Sequence, residues 1–172
     1  MNTIYFKKWS SPICELFFYA DDEALLILAF KSTHTSLAKK LGIKNVSKES
    51  SRIIEKAIKQ LDEYFAGARK AFEIPLKPTG TPFQKSAWQA LTSIPFGHTL
   101  SYSEQAQKIN STGAVRAIGS ANGRNPISII VPCHRVITQS GKISGYAGGP
   151  IIKQKLLMLE GVSLDKEVSS KP

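Results

Sequence analysis

The chain has 172 residues, 42% hydrophobic and 21% charged, with a formal net charge of +10. This composition excludes an intrinsically disordered chain, and the length suits one ordinary domain or two small ones sharing an interface. The positive balance points to a polyanionic partner, nucleic acid ahead of an anionic membrane, and the charge is concentrated: from Ile74 to Leu159 the only acidic residue is Glu104, against Lys77, Lys85, Lys108, Arg116, Arg124, Arg135, Lys142, Lys153 and Lys155. The longest apolar run, Ala24 to Phe30, is strand-sized, and no basic segment followed by an apolar one opens the chain, so neither a membrane span nor a secretory signal is expected. Two cysteines, Cys14 and Cys133, make no disulfide framework, and a soluble protein of a reducing cytoplasm is the expectation.

In chain order, Ile4–Lys8, Ile13–Tyr19 and Ala24–Phe30 are short β-rich runs separated by Ser10-Ser11-Pro12 and Asp21-Asp22, which predicts an antiparallel meander. A polar stretch, Lys39 to Ser50, precedes a helix whose face is Ile53, Ile54, Ala57, Ile58, Leu61, Tyr64 and Phe65, with Gly67 as its stop. Pro75, Pro78, Gly80 and Pro82 mark a break, and the domain boundary falls near residue 78, giving domains 1–78 and 79–172.

Thr81-Pro82-Phe83-Gln84 reads as a capping box with proline at the first helical position, opening a helix with Phe83, Ala87, Ala90, Leu91 and Ile94 on its apolar face. Ser101-Tyr102-Ser103-Glu104 is a second capping box. It starts a helix over Tyr102–Ile109, followed by the turn Asn110-Ser111-Thr112-Gly113 and a helix over Ala114–Asn122. Short helix, tight turn, second helix is the pattern of a helix-turn-helix. The second helix carries Arg116 and the small residues Ala117, Gly119, Ser120 and Ala121, which let a backbone approach another surface. After the buried run Ile127–Val131 comes Pro132-Cys133-His134-Arg135-Val136. Arg135–Thr138 and Lys142–Ser144 are expected to pair across Gln139-Ser140-Gly141 as a wing, and a flexible loop, Gly145–Gly149, leads to a last helix over Ile151–Glu160.

A lone cysteine after an apolar strand is most often an inert buried residue. Cys133, however, adjoins His134 and Arg135, and cationic neighbours favour the nucleophilic thiolate. Pro132-Cys133-His134-Arg135-Val136, preceded by Asn125-Pro126 and followed by Gly145-Tyr146, resembles the methylated-DNA–protein-cysteine methyltransferases, also called O6-alkylguanine-DNA alkyltransferases. The resemblance starts at Thr81-Pro82-Phe83-Gln84, runs through Trp88, Ile94-Pro95, Gly97, Ser101-Tyr102 and the Arg116 helix, and ends at Leu156-Leu157 and Glu160-Gly161, about half of the chain.

The resemblance implies an α+β protein, a small antiparallel-sheet (RNase H-like) domain followed by a winged helix-turn-helix alkyltransferase domain. It implies irreversible, once-only transfer of an alkyl group from O6-alkylguanine in duplex DNA to Cys133, and leaves open whether O4-alkylthymine is a substrate; a monomer without cofactor is expected, and no metal, since the zinc pattern of some relatives' N-terminal domain is not seen here. His134 is then the general base, acting through a water. Glu160 orients His134, Asn125 fixes the turn presenting Cys133, and Tyr102 donates to the leaving purine. This is the nucleophile–base–orienter logic of hydrolase triads applied to alkyl transfer. Arg116 is expected to enter the base stack as the nucleotide is flipped, while Ala117, Ser120, Ala121 and Arg124 accompany it along the minor groove. Val136, Tyr146, Ala147 and Gly148 are expected in the base pocket; Ala147 stands where some relatives carry a hydroxyl residue.

Three rivals are a lesion sensor of the same fold, which replaces the acceptor cysteine and so conflicts with Cys133; a winged-helix regulator with an incidental thiol; and a cysteine hydrolase, which leaves the helix-turn-helix unexplained. Cys14, His34 and His98 are scattered without ligand spacing.

Overall fold

Three strands open the chain in the computed structural model, which describes residues 2–164. Strands β1 (Tyr5–Ser10), β2 (Glu15–Ala20) and β3 (Leu25–Ala29) form an antiparallel sheet in that order. Local side chains set both turns. The Ser11 hydroxyl accepts from the N–H groups of Ile13 and Cys14, and the Asp21 carboxylate accepts from those of Glu23 and Ala24, at 2.8 Å each. Short polar side chains do this because they can bond their own backbone two or three residues on.

Nearly every residue of β2 and β3 is buried, as in strands covered on both faces. Helix α2 (Arg52–Phe65) buries Ile54, Ala57, Ile58, Leu61 and Tyr64, and its N-cap Ser51 accepts from the Ile54 N–H. The i, i+3, i+4, i+7 stripe drives this packing, and Gly67, at φ 79°, follows the last turn. Helix α1 (His34–Lys40) has no counterpart among the predicted elements. It buries only Ala38, too little for a periodic signal, and its last residues fall in the stretch read as merely polar.

The first compact unit, Met1–Thr79, also takes in Pro126–Ser128. There the Leu28 N–H donates to Pro126 O and the Ser128 N–H to Leu28 O, a parallel bridge along β3, while Leu76 bridges Leu25. A boundary drawn as one cut near residue 78 does not anticipate this stretch, which pairs backbone groups that a buried strand edge cannot leave open.

The second unit, residues 80–125 with 129–164 among those described, is mainly helical. It contains α3 (Pro82–Thr92), β4 (Leu100–Ser101), α4 (Tyr102–Lys108), α5 (Val115–Gly123), β5 (Val136–Ile137) and α6 (Pro150–Leu159). Both capping boxes form: Thr81 with Gln84, and Ser101 with Glu104. Ala87, Ala106, Ile118 and Ala121 make the core between α3, α4 and α5, with Phe83, Tyr102 and Ile109 around it. Trp88 donates its indole N–H to Ala121 O at 2.8 Å. The indole's place depends on Gly80, where a Cβ would lie 2.4 Å from the ring.

The expected wing is not a hairpin. Of its residues only Val136–Ile137 is strand, paired in parallel with Leu100–Ser101. Thr138 and Lys142 instead close a tight turn, in which the Thr138 hydroxyl bonds both the Lys142 N–H and O and replaces part of a ladder. Among the described residues no helix is long and apolar enough to cross a membrane.

Candidate active site

Two short segments of the second unit build the site: the stretch from the end of α5 to Val136, and the C-terminal end of α6. Between Asn125 and Cys133 the chain passes through Ile129 at φ 71°, a conformation that costs a β-branched residue of order 1–3 kcal/mol. The Asn125 amide then donates to Val131 O at 2.8 Å and to Cys133 Sγ at 3.3 Å. One buried side chain thereby fixes both the loop and the sulfur. Cys133–Arg135 is a single 3₁₀ turn whose three side chains are all buried.

Cys133 opens the floor of a cavity of about 570 Å³, lined also by Tyr102, Val115, Gly119, Asn122, Gly123 and the loop Ser144–Ala147. Of the four expected pocket residues, Tyr146 and Ala147 are in this lining, whereas Val136 and Gly148 are not. Val136 is fully buried and contributes its carbonyl to another bond.

Glu160, the residue capping α6, is the hub behind Cys133. Its carboxylate accepts from His134 Nε2 at 2.7 Å, from Arg135 Nε at 2.7 Å and Nη2 at 3.1 Å, and from the Gly97 N–H at 3.3 Å. Arg135 also donates to Ile94 O and lies over the Phe96 ring. The fork of Arg135 on the carboxylate is the strong planar geometry of that pair and neutralises a charge that could not otherwise stay buried. With Nε2–H directed at Glu160, the lone pair of His134 lies on Nδ1, which has no hydrogen-bond partner among the described residues.

Burial holds the His134 imidazolium well below its ordinary pKa, outweighing the pull of Glu160. Burial likewise pushes the Cys133 thiol up, against the hydrogen bond from Asn125 and the charge of Lys153. The cationic neighbourhood expected to favour thiolate is therefore not what the fold builds. Arg135 spends its charge on Glu160, and His134 is neutral. Burial thus favours the uncharged form of both the thiol and the imidazole.

Lys153, which the sequence reading counted only as surface charge, is 1% exposed. Its Nζ donates to Val136 O at 2.6 Å and lies 5.9 Å from the Tyr102 ring centroid. Burial lowers its pKa to about 8. A signal for it exists: Lys153 shares the helical stripe of Leu156, Leu157 and Glu160. Two more residues escaped the reading. Gln105 and Asn122 exchange amide hydrogen bonds at 2.9 and 2.7 Å, locking one wall of the cavity. The Tyr102 hydroxyl, in turn, bonds that of Ser144.

On α5, Arg116, Ala117 and Ser120 are exposed, as is Arg124 just beyond it. Ala121 is not on that face: at 2% exposure it belongs to the core and offers only its carbonyl, to Trp88. Among the described residues no three His, Cys, Asp or Glu gather as a metal site, and neither Cys14 nor Cys133 is in a disulfide.

Models of the 6-O-methylguanine DNA methyltransferase ribonuclease-like domain and DNA binding domain match residues 4–78 and 82–162. The methylated-DNA–protein-cysteine methyltransferase of Methanosarcina acetivorans is 45% identical over 158 residues, covering 92% of this chain and 99% of the relative. The constitutive methyltransferase of Bacillus subtilis is 41% identical over 160 residues, covering 92% and 96%. Among solved structures, Mycobacterium tuberculosis O6-methylguanine methyltransferase aligns with a TM-score of 0.82 at 38% identity, covering 95% of this chain and 97% of that one. The same organism's OGT in complex with DNA aligns at 0.78 and 40%, covering 91% and 92%. The matches span both units and the whole site, and the chain belongs to the O6-methylguanine DNA methyltransferase family.

Proposed function

We propose that this chain repairs O6-alkylguanine in duplex DNA by moving the alkyl group onto Cys133 Sγ, once per molecule. The observation that carries the reading is the buried dyad of His134 and Glu160 directly behind a cysteine that opens into a base-sized cavity. The sulfur attacks the alkyl carbon, the S–C bond forms as the O6–C bond breaks, and the bond's electron pair stays on O6. The thiol proton passes by way of a water to Nδ1 of His134, and the purine takes up one proton from Tyr102. In net terms alkyl group and proton change places. The thioether product is a very poor leaving group, which makes the reaction stoichiometric.

A flipped nucleotide is required, because an alkyl carbon within a base stack is closed to in-line attack. Exposed Arg116 fills the vacated stack, and Ala117, Ser120 and Arg124 lie against the minor groove beside it. The protein works as a monomer in the reducing cytoplasm, where both thiols persist.

The test is intact-protein mass spectrometry after mixing with an oligonucleotide duplex carrying one O6-methylguanine. The expected result is a gain of one methyl group, mapped to Cys133 and saturating at one per protein. Duplex binding with no mass change would overturn the reading.

A further inference from the structure

Tyr102 and Ser144 face each other across the rim of the cavity that Cys133 opens into, and their hydroxyls are hydrogen-bonded although 42 residues separate them in the chain. Tyr102 starts α4, where the Ser101–Glu104 capping box fixes the first turn. Ser144 follows the buried Ile143 in the loop between β5 and α6. A capped helix start and a loop anchored by a buried neighbour thus bring the two groups together, and the bond occupies the oxygen that the proposed reaction needs as a donor.

A hydroxyl has one proton and two acceptor lone pairs, and its proton rotates to suit its surroundings. Either hydroxyl can therefore be the donor of this bond. With a purine in the cavity, the same two oxygens can stay in place while both protons turn: Ser144 donates to the phenolic oxygen, and the phenolic O–H points at the ring.

We propose that Ser144 is a positioning residue for Tyr102: its hydroxyl aims the phenolic proton at the leaving purine and stabilises the phenolate left when that proton is transferred. This rests on the proposed alkyl transfer to Cys133 and on Tyr102 as the donor. In the step, the phenolic O–H bond breaks and an N–H bond forms on the purine ring as the O6–C bond's electron pair withdraws onto O6. Solvent later reprotonates the phenolate, matching the proton that His134 releases, so the balance closes without any other reactant. Two features of the surroundings agree. Burial raises the Tyr102 pKa while the Ser144 bond opposes that rise. The Lys153 ammonium stands 5.9 Å from the ring centroid, within reach of a cation–π contact.

The experiment is single-turnover methyl transfer from an O6-methylguanine duplex, read by mass at Cys133, with maximal rate and half-saturating concentration measured separately from neutral to alkaline pH. Wild type, Ser144→Ala, Ser144→Thr, Tyr102→Phe and the double variant Ser144→Ala/Tyr102→Phe are compared. A hydrogen bond to a developing charge is worth enough that Ser144→Ala should cut the maximal rate about tenfold. It should leave the half-saturating concentration unchanged, and Ser144→Thr should restore the rate. The alkaline loss of rate that reports Tyr102 deprotonation should move to higher pH in Ser144→Ala, and the alanine should cost nothing further once Tyr102 is phenylalanine. Equal losses on the two backgrounds, a loss confined to binding, or a fast Tyr102→Phe protein would each overturn the proposal. Failure of the underlying reading shows separately, as wild-type protein that never gains a methyl group.

Discussion

The two units of this chain bury polar groups for different ends. In the first, the buried polar side chains are Asp21, Ser51, Gln60 and Ser128. Asp21 holds a turn, Ser51 caps a helix, and Gln60 exchanges hydrogen bonds with the backbone of Glu73. In the second, Gln84, Gln105, Asn122, Asn125, His134, Arg135, Lys153 and Glu160 are buried, and most converge around Cys133. One unit uses polarity to finish its backbone; the other keeps a titratable network in its interior. Burying charge costs several kcal/mol per ion unless it is paired and hydrogen-bonded, so the second unit carries an energetic load that a purely structural core would not. The same chemical change should therefore have unequal effects in the two units.

The largest difference is expected for Glu160→Gln. The amide keeps the shape but removes the charge that Arg135 requires and offers one acceptor oxygen where His134 and Arg135 share two, and it leaves the guanidinium buried without a counter-ion. Breaking a buried pair from one side costs about 3–5 kcal/mol. Urea denaturation should show that loss, and methyl transfer should slow with it because the His134 ring loses its orienting acceptor. Unchanged stability would mean that the network behind Cys133 is not an energetic unit, and the contrast between the two units would fail.

Lys153 gives the next test, through pH. Its folded pKa, about 8, lies below the ordinary 10.5, so between these values the unfolded chain binds the extra proton. Stability contributed by this group is full above the unfolded value and is lost as pH falls through about 8. The depression corresponds to about 3 kcal/mol. Because burial raises the Cys133 thiol, which gives the opposite dependence on pH, the comparison belongs in a Cys133→Ala background, with and without Lys153→Met. Stability should climb between pH 8 and 10.5 only in the protein that keeps the lysine.

These groups differ in how far the sequence discloses them. Thr81 with Gln84, Ser101 with Glu104, and the Ile54–Tyr64 stripe are written within a few residues of themselves, and they read directly. Cys133, His134, Glu160 and Asn125 read only through their joint register with a known family, since each alone is an ordinary residue. The rest depends on contacts made late in the chain. Arg135 meets Glu160 across 25 residues, Gln105 meets Asn122 across 17, and Ser144 meets Tyr102 across 42. No local pattern encodes such a meeting, although a lysine on the Leu156–Leu157 stripe is a clue of helical period. Ala121 misled in the opposite direction. Its small size suits a groove-facing position and a helix–helix core equally well, and packing against Ala87, Ala106 and Ile118 decided between them. The thiolate expectation failed for a related reason, since adjacency in sequence says nothing of where Arg135 sends its charge.

The smallest effect, and the matched control for Glu160, is Asp21→Asn. Asp21 is as buried as Glu160, and its carboxylate pKa is lowered: burial raises it, but the backbone N–H groups of Glu23 and Ala24, together with Lys77, outweigh that. Its partners are unlike those of Glu160, however. Two are backbone amides, which an asparagine oxygen satisfies equally well. The third, Lys77, is exposed and 3.5 Å away, and such pairs contribute little. Removing the charge strands no buried cation. The stability loss should stay within about 1 kcal/mol, the value of a neutral hydrogen bond against a charge-assisted one, with the methyl-transfer rate unchanged. Wild-type Asp21 should lose its contribution as pH falls from the ordinary carboxylate range through its lowered folded value, and Asp21→Asn should flatten that acid limb. If Asp21→Asn instead matched Glu160→Gln in urea denaturation, burial alone would set the effect, and the identity of the partners, which is what separates the two units, would not matter.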